Sequence, residues 1–141
     1  MTIRITIAAA AITLLLAGAA SAETMTFKAT LKGADEVPAN TSAGTGEVTA
    51  DLDTASKTLT YTVTYSGLTG PATMAHFHGP AAPGSNAPPV IALQNVSSPI
   101  KGTASLTDGQ IGDLEAGMWY LNVHTAAHPS GEIRGQLMMA H

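Results

Sequence analysis

Cysteine is absent from all 141 residues. That excludes disulfides, thiolate metal ligands and lipid attachment through a lipoprotein cysteine, so a metal would have to be held by nitrogen, oxygen or thioether sulfur. Charge is scarce: 11% of residues are charged, the net charge is −4, and no basic cluster occurs. Nucleic acid and anionic membrane surfaces both need Lys/Arg patches, so neither is expected as a partner. No G-x-S-x-G elbow exists to support serine-hydrolase chemistry. Long apolar runs are missing except at the start, in "MTIRITIAAAAITLLLAGAASA". There Arg4 precedes an apolar stretch that ends in Ala20-Ser21-Ala22, the layout of a secretory signal. The run is short for a span of about 20 residues, and no stop-transfer flank follows it. The expectation is cleavage after Ala22, a single domain over 23–141, no stable membrane insertion, and a periplasmic or extracellular destination.

What is present is alternation. "TMTFKATLK" (24–32), "GEVTADLD" (46–53) and "KTLTYTVTYSGL" (57–68) place Phe27, Leu31, Val48, Leu52, Leu59 and Val63 on one face and threonines on the other. Period two with one apolar face marks half-buried antiparallel strands. Further strands are expected at 71–78, 88–94, 100–107, 118–125 and 131–139. One helical turn is expected at 108–117, with Asp108 as N-cap and Gly117 at its end. About eight short strands separated by turn residues describe an all-β, antiparallel Greek-key β-sandwich or small barrel. A long Pro/Gly-rich loop follows at 79–89.

Two of the five histidines stand one residue apart in "MAHFHGP" (74–80). On a strand, His76 and His78 project from the same face, with Cα atoms about 6.5–7 Å apart. Their ring nitrogens can then reach a common ion. In "MWYLNVHT" (118–125), Met118, Tyr120, Asn122 and His124 share a face opposite Trp119, Leu121 and Val123. If the two strands are neighbours, His124 completes a three-imidazole set, as used in zinc sites and suited to copper. His128 could supply a fourth nitrogen or line the rim. The alternative is a sheet face of hydrogen-bonded histidines without metal.

Other candidates read more plainly. Glu132 and Arg134 share a strand face, where a cross-strand ion pair that pins register is expected, with an anion-binding or catalytic role for Arg134 as the alternative. Asp35 and Glu36 read as solvated turn residues, with a supporting role behind a histidine as the alternative. Met74 and Met118 share faces with the histidines and are candidate thioether ligands; packing accounts for the remaining methionines.

The segments "LKGADEVPANTSAGTGEVTADLD", "AHFHGPAAPGSNAPPV" and "WYLNVHTAAHPSGEIRGQL" resemble the CHRD domain, the module repeated in chordin and found singly in exported bacterial proteins. The resemblance implies an extracellular β-sandwich and carries over His76, His78, Asn122, His124, Glu132 and Arg134 as motif positions. In chordin the module is linked to binding secreted growth factors, which implies a secreted protein partner as one possible role here. The His-x-His arrangement is also similar to that of Cu/Zn superoxide dismutase, in arrangement only, since this chain lacks that enzyme's cysteines and zinc loop. The leading expectation is an exported protein binding one copper ion, or zinc, through His76, His78 and His124. The alternatives are a metal-free binding module and a metal-dependent redox enzyme. No catalytic residue is assigned.

Overall fold

The computed structural model describes Ile12 and residues 23–141. The expected signal segment, 1–22, otherwise lies outside the described residues. Among the described residues, nine strands and one helix follow in order: β1 (Thr24–Lys32), β2 (Thr45–Asp53), β3 (Thr58–Ser66), β4 (Ala72–His78), β5 (Pro89–Ala92), β6 (Ile100–Ser105), α1 (Asp108–Glu115), β7 (Tyr120–Thr125), β8 (Ile133–Gln136) and β9 (Met138–Met139). A single 3-10 turn, Gly33–Asp35, follows β1.

All strand pairs are antiparallel and belong to one sheet, ordered β5-β4-β7-β8-β1-β2-β3-β6, with β9 also paired to β1. The sheet curls into a nearly closed barrel, the second of the two architectures expected from the alternation. β1, β2 and β3 form a meander in continuous register, with Val48 opposite Val63 and Leu52 opposite Leu59 inside the barrel. The chain then crosses to the far side to build the β4–β5 hairpin, returns to lay β6 against β3, and crosses again so that β7 pairs with β4. Parity explains the closure: β2 and β3 hide every second residue, and curling the sheet brings those residues together with the apolar residues of the other strands.

The interior is apolar. Phe27, Leu31, Leu52, Leu59, Phe77, Trp119, Leu121, Ile133 and Leu137 are all fully buried there. Phe77 sits edge-on to Tyr61 at 5.2 Å and tilts against Trp119 at 5.8 Å. Such contacts are worth about 0.5–1.5 kcal/mol each beyond the area they bury. Leu106 and Leu114 add to the same core from α1 and its lead-in.

Element ends shift by up to two residues from the sequence expectation, and two differences have a clear physical cause. The helix is capped by Thr107, not Asp108: the Thr107 hydroxyl accepts from the Gln110 N–H, and the Gln110 side chain accepts from the Thr107 N–H. That is a reciprocal capping box, which leaves Asp108 as the first helical residue. The run 131–139 is broken at Leu137, whose N–H bonds the Trp119 carbonyl at 3.0 Å. β8 pairs chiefly with β7, whereas β9 pairs with β1.

Candidate metal centre

β7 is buried along its whole length. Its inward residues, Leu121 and Val123, meet the core, and its outward residues, Tyr120, Asn122 and His124, lie under loops. β4 places Met74 opposite His124, His76 opposite Asn122, and His78 opposite Tyr120. β8 adds Arg134 opposite Asn122 and Gln136 opposite Tyr120. The outer face of these three strands is therefore a second, polar interior, with Asn122, His124 and Arg134 each 6% exposed or less.

Three segments cover it, each anchored by defined hydrogen bonds. From the 79–89 loop, Ser85 O and Asn86 Oδ1 accept from Arg134, the latter at 2.8 Å. The Tyr120 hydroxyl accepts from the Ala87 N–H and donates to the Ala87 carbonyl. From the segment after β1, Asn40 Nδ2 donates to the Glu132 carbonyl at 3.0 Å. The third cover is the 126–132 turn.

The ligand atoms of His76, His78 and His124 lie within 4.8 Å of one another. His76 Nδ1 stands 3.1 Å from His124 Nε2. His78 Nδ1 bonds the Ala87 carbonyl and His124 Nδ1 bonds the Pro129 carbonyl, both at 2.8 Å. A carbonyl oxygen only accepts, so both Nδ1 atoms carry the proton, and in a neutral imidazole Nε2 is then a bare lone pair. Holding a ligating imidazole through its other N–H is the usual support for a metal-bound histidine. Both Nε2 atoms lie 2.9 Å from Asn122 Oδ1.

Electrostatics favour neutral rings. Burial, together with the neighbouring histidines, holds His76 below the ordinary imidazole value. Burial also lowers His78, helped by His124 and Arg134 and opposed by its bonds to Ala87 and Asn122. His78 stacks on Tyr120 with ring centroids 4.7 Å apart, and the Arg134 guanidinium lies 3.5 Å from the centroid of the same Tyr120 ring.

The remaining candidates fall as follows. His128 lies in the turn after β7, its backbone N–H bonded to Thr125 Oγ1, outside the three-histidine cluster. Met74 is 46% exposed on the histidine face of β4. Met118 precedes β7, and its carbonyl accepts from the Ala81 N–H. The expected cross-strand ion pair does not form at Glu132 or Arg134. Arg134 is taken up by the 79–89 loop and Tyr120, while Glu132, fully buried, accepts from the hydroxyls of Ser42, Thr69 and Thr125 and from the Thr69 N–H. Burial alone would raise the Glu132 pKa, but these donors outweigh it and hold the carboxyl at about 2.

Glu36 is also not the solvated turn residue expected: it is 6% exposed and packs behind Asn122 and Gly131. Burial lifts its pKa to about 7 against the opposing pull of Arg134 and Asn122. The sequence carries no signal for either carboxylate, because loops distant in the chain bury both.

Fold and site together define an antiparallel, barrel-like β module with a histidine cluster on a covered outer face. The family model of the CHRD domain matches residues 27–137, and the chain belongs to that family. Neither the curated proteins nor the solved structures offer a match to this chain. Among the described residues no helix is long and apolar enough to cross a membrane.

Proposed function

We propose that this protein binds one transition-metal ion through His76 Nδ1, His78 Nε2 and His124 Nε2, and that it acts in copper binding and homeostasis outside the cytoplasm. The observation that carries the reading is the convergence of lone pairs. Two imidazoles have their protons committed to backbone carbonyls, and their free nitrogens face the same carboxamide oxygen at 2.9 Å. A proton on His76 Nδ1 would settle the His76–His124 pair but leave His78 Nε2 facing Asn122 Oδ1, acceptor against acceptor. A single cation satisfies them all. Imidazole suits copper and zinc alike, and the Irving–Williams order places divalent copper above zinc. The Arg4-led leader ending in Ala20-Ser21-Ala22 supports export.

A second reading has its own support. Turning the Asn122 carboxamide end for end would let its two N–H groups donate to both Nε2 atoms. Its oxygen would then face Glu36, whose pKa of about 7 leaves a proton available near neutrality. The site would be a closed hydrogen-bond network, and the protein an extracellular binding module for a secreted partner.

Calorimetric titration of Cu(II) and Zn(II) into metal-free protein separates the two. We expect 1:1 binding, weakened by more than about 100-fold in the His76→Ala/His78→Ala variant, beyond the usual cost of altering a supporting residue. Affinity should fall on acidification, since protonated imidazole does not ligate; because His76 and His78 titrate below the ordinary value, the loss begins at lower pH than for unperturbed rings. Wild-type binding no tighter than that of the double variant overturns the metal reading and leaves the network.

A further inference from the structure

We infer that Asn122 is a ligand in its own right: its carboxamide oxygen supplies the fourth donor of the site, and this donor sets a preference for divalent copper over zinc. The inference rests on the metal reading above and adds to it an oxygen, a shape and a selectivity.

The oxygen comes first. Asn122 sits at the centre of β7, 3% exposed, with Oδ1 directed between two ring nitrogens whose protons lie on their far sides. Its other end has a defined place. Nδ2 points to the Ser130 carbonyl at 3.4 Å and into the space above Gly131, beside the Glu36 carboxyl, whose buried Oε1 has no hydrogen-bond partner. A Cβ on Gly131 would lie 2.6 Å from Glu36 Oε1 and 2.7 Å from Asn122 Nδ2. Gly131 also holds φ at +126°, which side-chain-bearing residues rarely adopt. The missing side chain is thus the gap in which a buried carboxylate and the amide nitrogen come together. The Ser130 carbonyl can only accept, so it holds the N–H end of the amide and leaves the oxygen to the histidines.

The shape follows from the separations. Taken in order, His76, His124, Asn122 and His78 place adjacent donor atoms 3.1, 2.9 and 2.9 Å apart, with one ring nitrogen of each histidine within 4.8 Å of the others. With bonds of about 2.0 Å, adjacent donors are about 2.8 Å apart at right angles and about 3.3 Å apart at the tetrahedral angle. The two spacings at Asn122 Oδ1 lie nearer the right-angled arrangement, whereas the His76–His124 spacing lies nearer the tetrahedral one. A tetragonal set of nitrogen and oxygen donors favours Cu(II), whereas zinc prefers the tetrahedron. A neutral oxygen, harder than thiolate or thioether, also disfavours Cu(I).

The test is Cu(II) and Zn(II) titration of the purified protein with electron paramagnetic resonance of the copper form, on wild type, Asn122→Leu and Asn122→Asp. Asn122→Leu keeps the volume and removes the donor. It should bind Cu(II) at least about tenfold more weakly, lose more copper than zinc affinity, and change the parallel hyperfine coupling. Asn122→Asp retains an oxygen, adds charge and removes both N–H groups, so it should bind Cu(II) as tightly as wild type or tighter. If Asn122 served only as a hydrogen-bond donor to the rings, the Asp variant would weaken binding as much as Leu, which overturns the inference. A Leu variant with wild-type affinity and spectrum, in protein whose binding His124→Ala still abolishes, overturns it too and leaves the three-histidine site standing. Wild type that binds no better than His76→Ala/His78→Ala overturns both. Should Asn122→Leu fail to fold, the Asp variant decides alone.

Discussion

The outer surface of β2 and β3 and the outer surface of β4, β7 and β8 are written in the same alternating pattern and meet opposite surroundings. On β2 and β3 the outward residues are Glu47, Thr49, Asp51, Thr60, Thr62 and Thr64, paired across the strands and largely open to water. On β4, β7 and β8 they include His76, His78, Tyr120, Asn122, His124 and Arg134, all of these but His76 buried beneath loops, with Met74 exposed at the edge. Polar groups in water need no particular partner, whereas buried ones must each find one. The first face is therefore tolerant and the second is specified atom by atom.

Substitutions can break that contrast. The largest effect belongs to Glu132→Ala, which strands the Ser42, Thr69 and Thr125 donors beneath the loops. We expect a loss of about 3 kcal/mol or more in denaturant unfolding. The wild-type carboxyl titrates near 2 in the fold against an ordinary 4.5. Its contribution is therefore complete above about 4.5 and is lost as pH falls towards 2. Thermal melts across that range should show a steep decline for wild type and a shallower one for the variant; parallel declines would remove Glu132 from its role.

An intermediate effect belongs to Arg134→Lys. A lysine cannot both bond Ser85 and Asn86 and lie flat on Tyr120. We expect about 1–3 kcal/mol of destabilisation, with faster amide exchange confined to the 79–89 loop and its Ala87 anchor. Unchanged exchange there would show that the loop is held by other bonds. The smallest effect is expected at Thr49→Val on the open face, within about 0.5 kcal/mol of wild type. A larger change would mean that this face is also specified.

Legibility in the sequence follows the same division. Period two located β1 at its observed bounds and placed Leu121 and Val123 inside, with Asn122 and His124 outside, because parity is a local property of a strand. The meeting of His124 with His76 and His78 was legible only as a condition, since it depended on β7 crossing to lie against β4. Glu36 and Glu132 were misread for a related reason. Each occupies a turn-like or strand-end position beside one apolar residue, Val37 or Ile133, too little to announce burial, and the segments that cover them come from far along the chain. The Thr107 cap, by contrast, was present in the local spelling Thr-Asp-Gly-Gln, where the capping-box spacing outranks a lone aspartate.

Trp119 is the chain's sole tryptophan, fully buried and packed on Phe77, the residue between His76 and His78. Any adjustment of that strand reaches the indole through a single van der Waals contact. The molecule thus has a native optical gauge: its fluorescence emission can follow both the integrity of the barrel and events at the neighbouring rings, with no label attached.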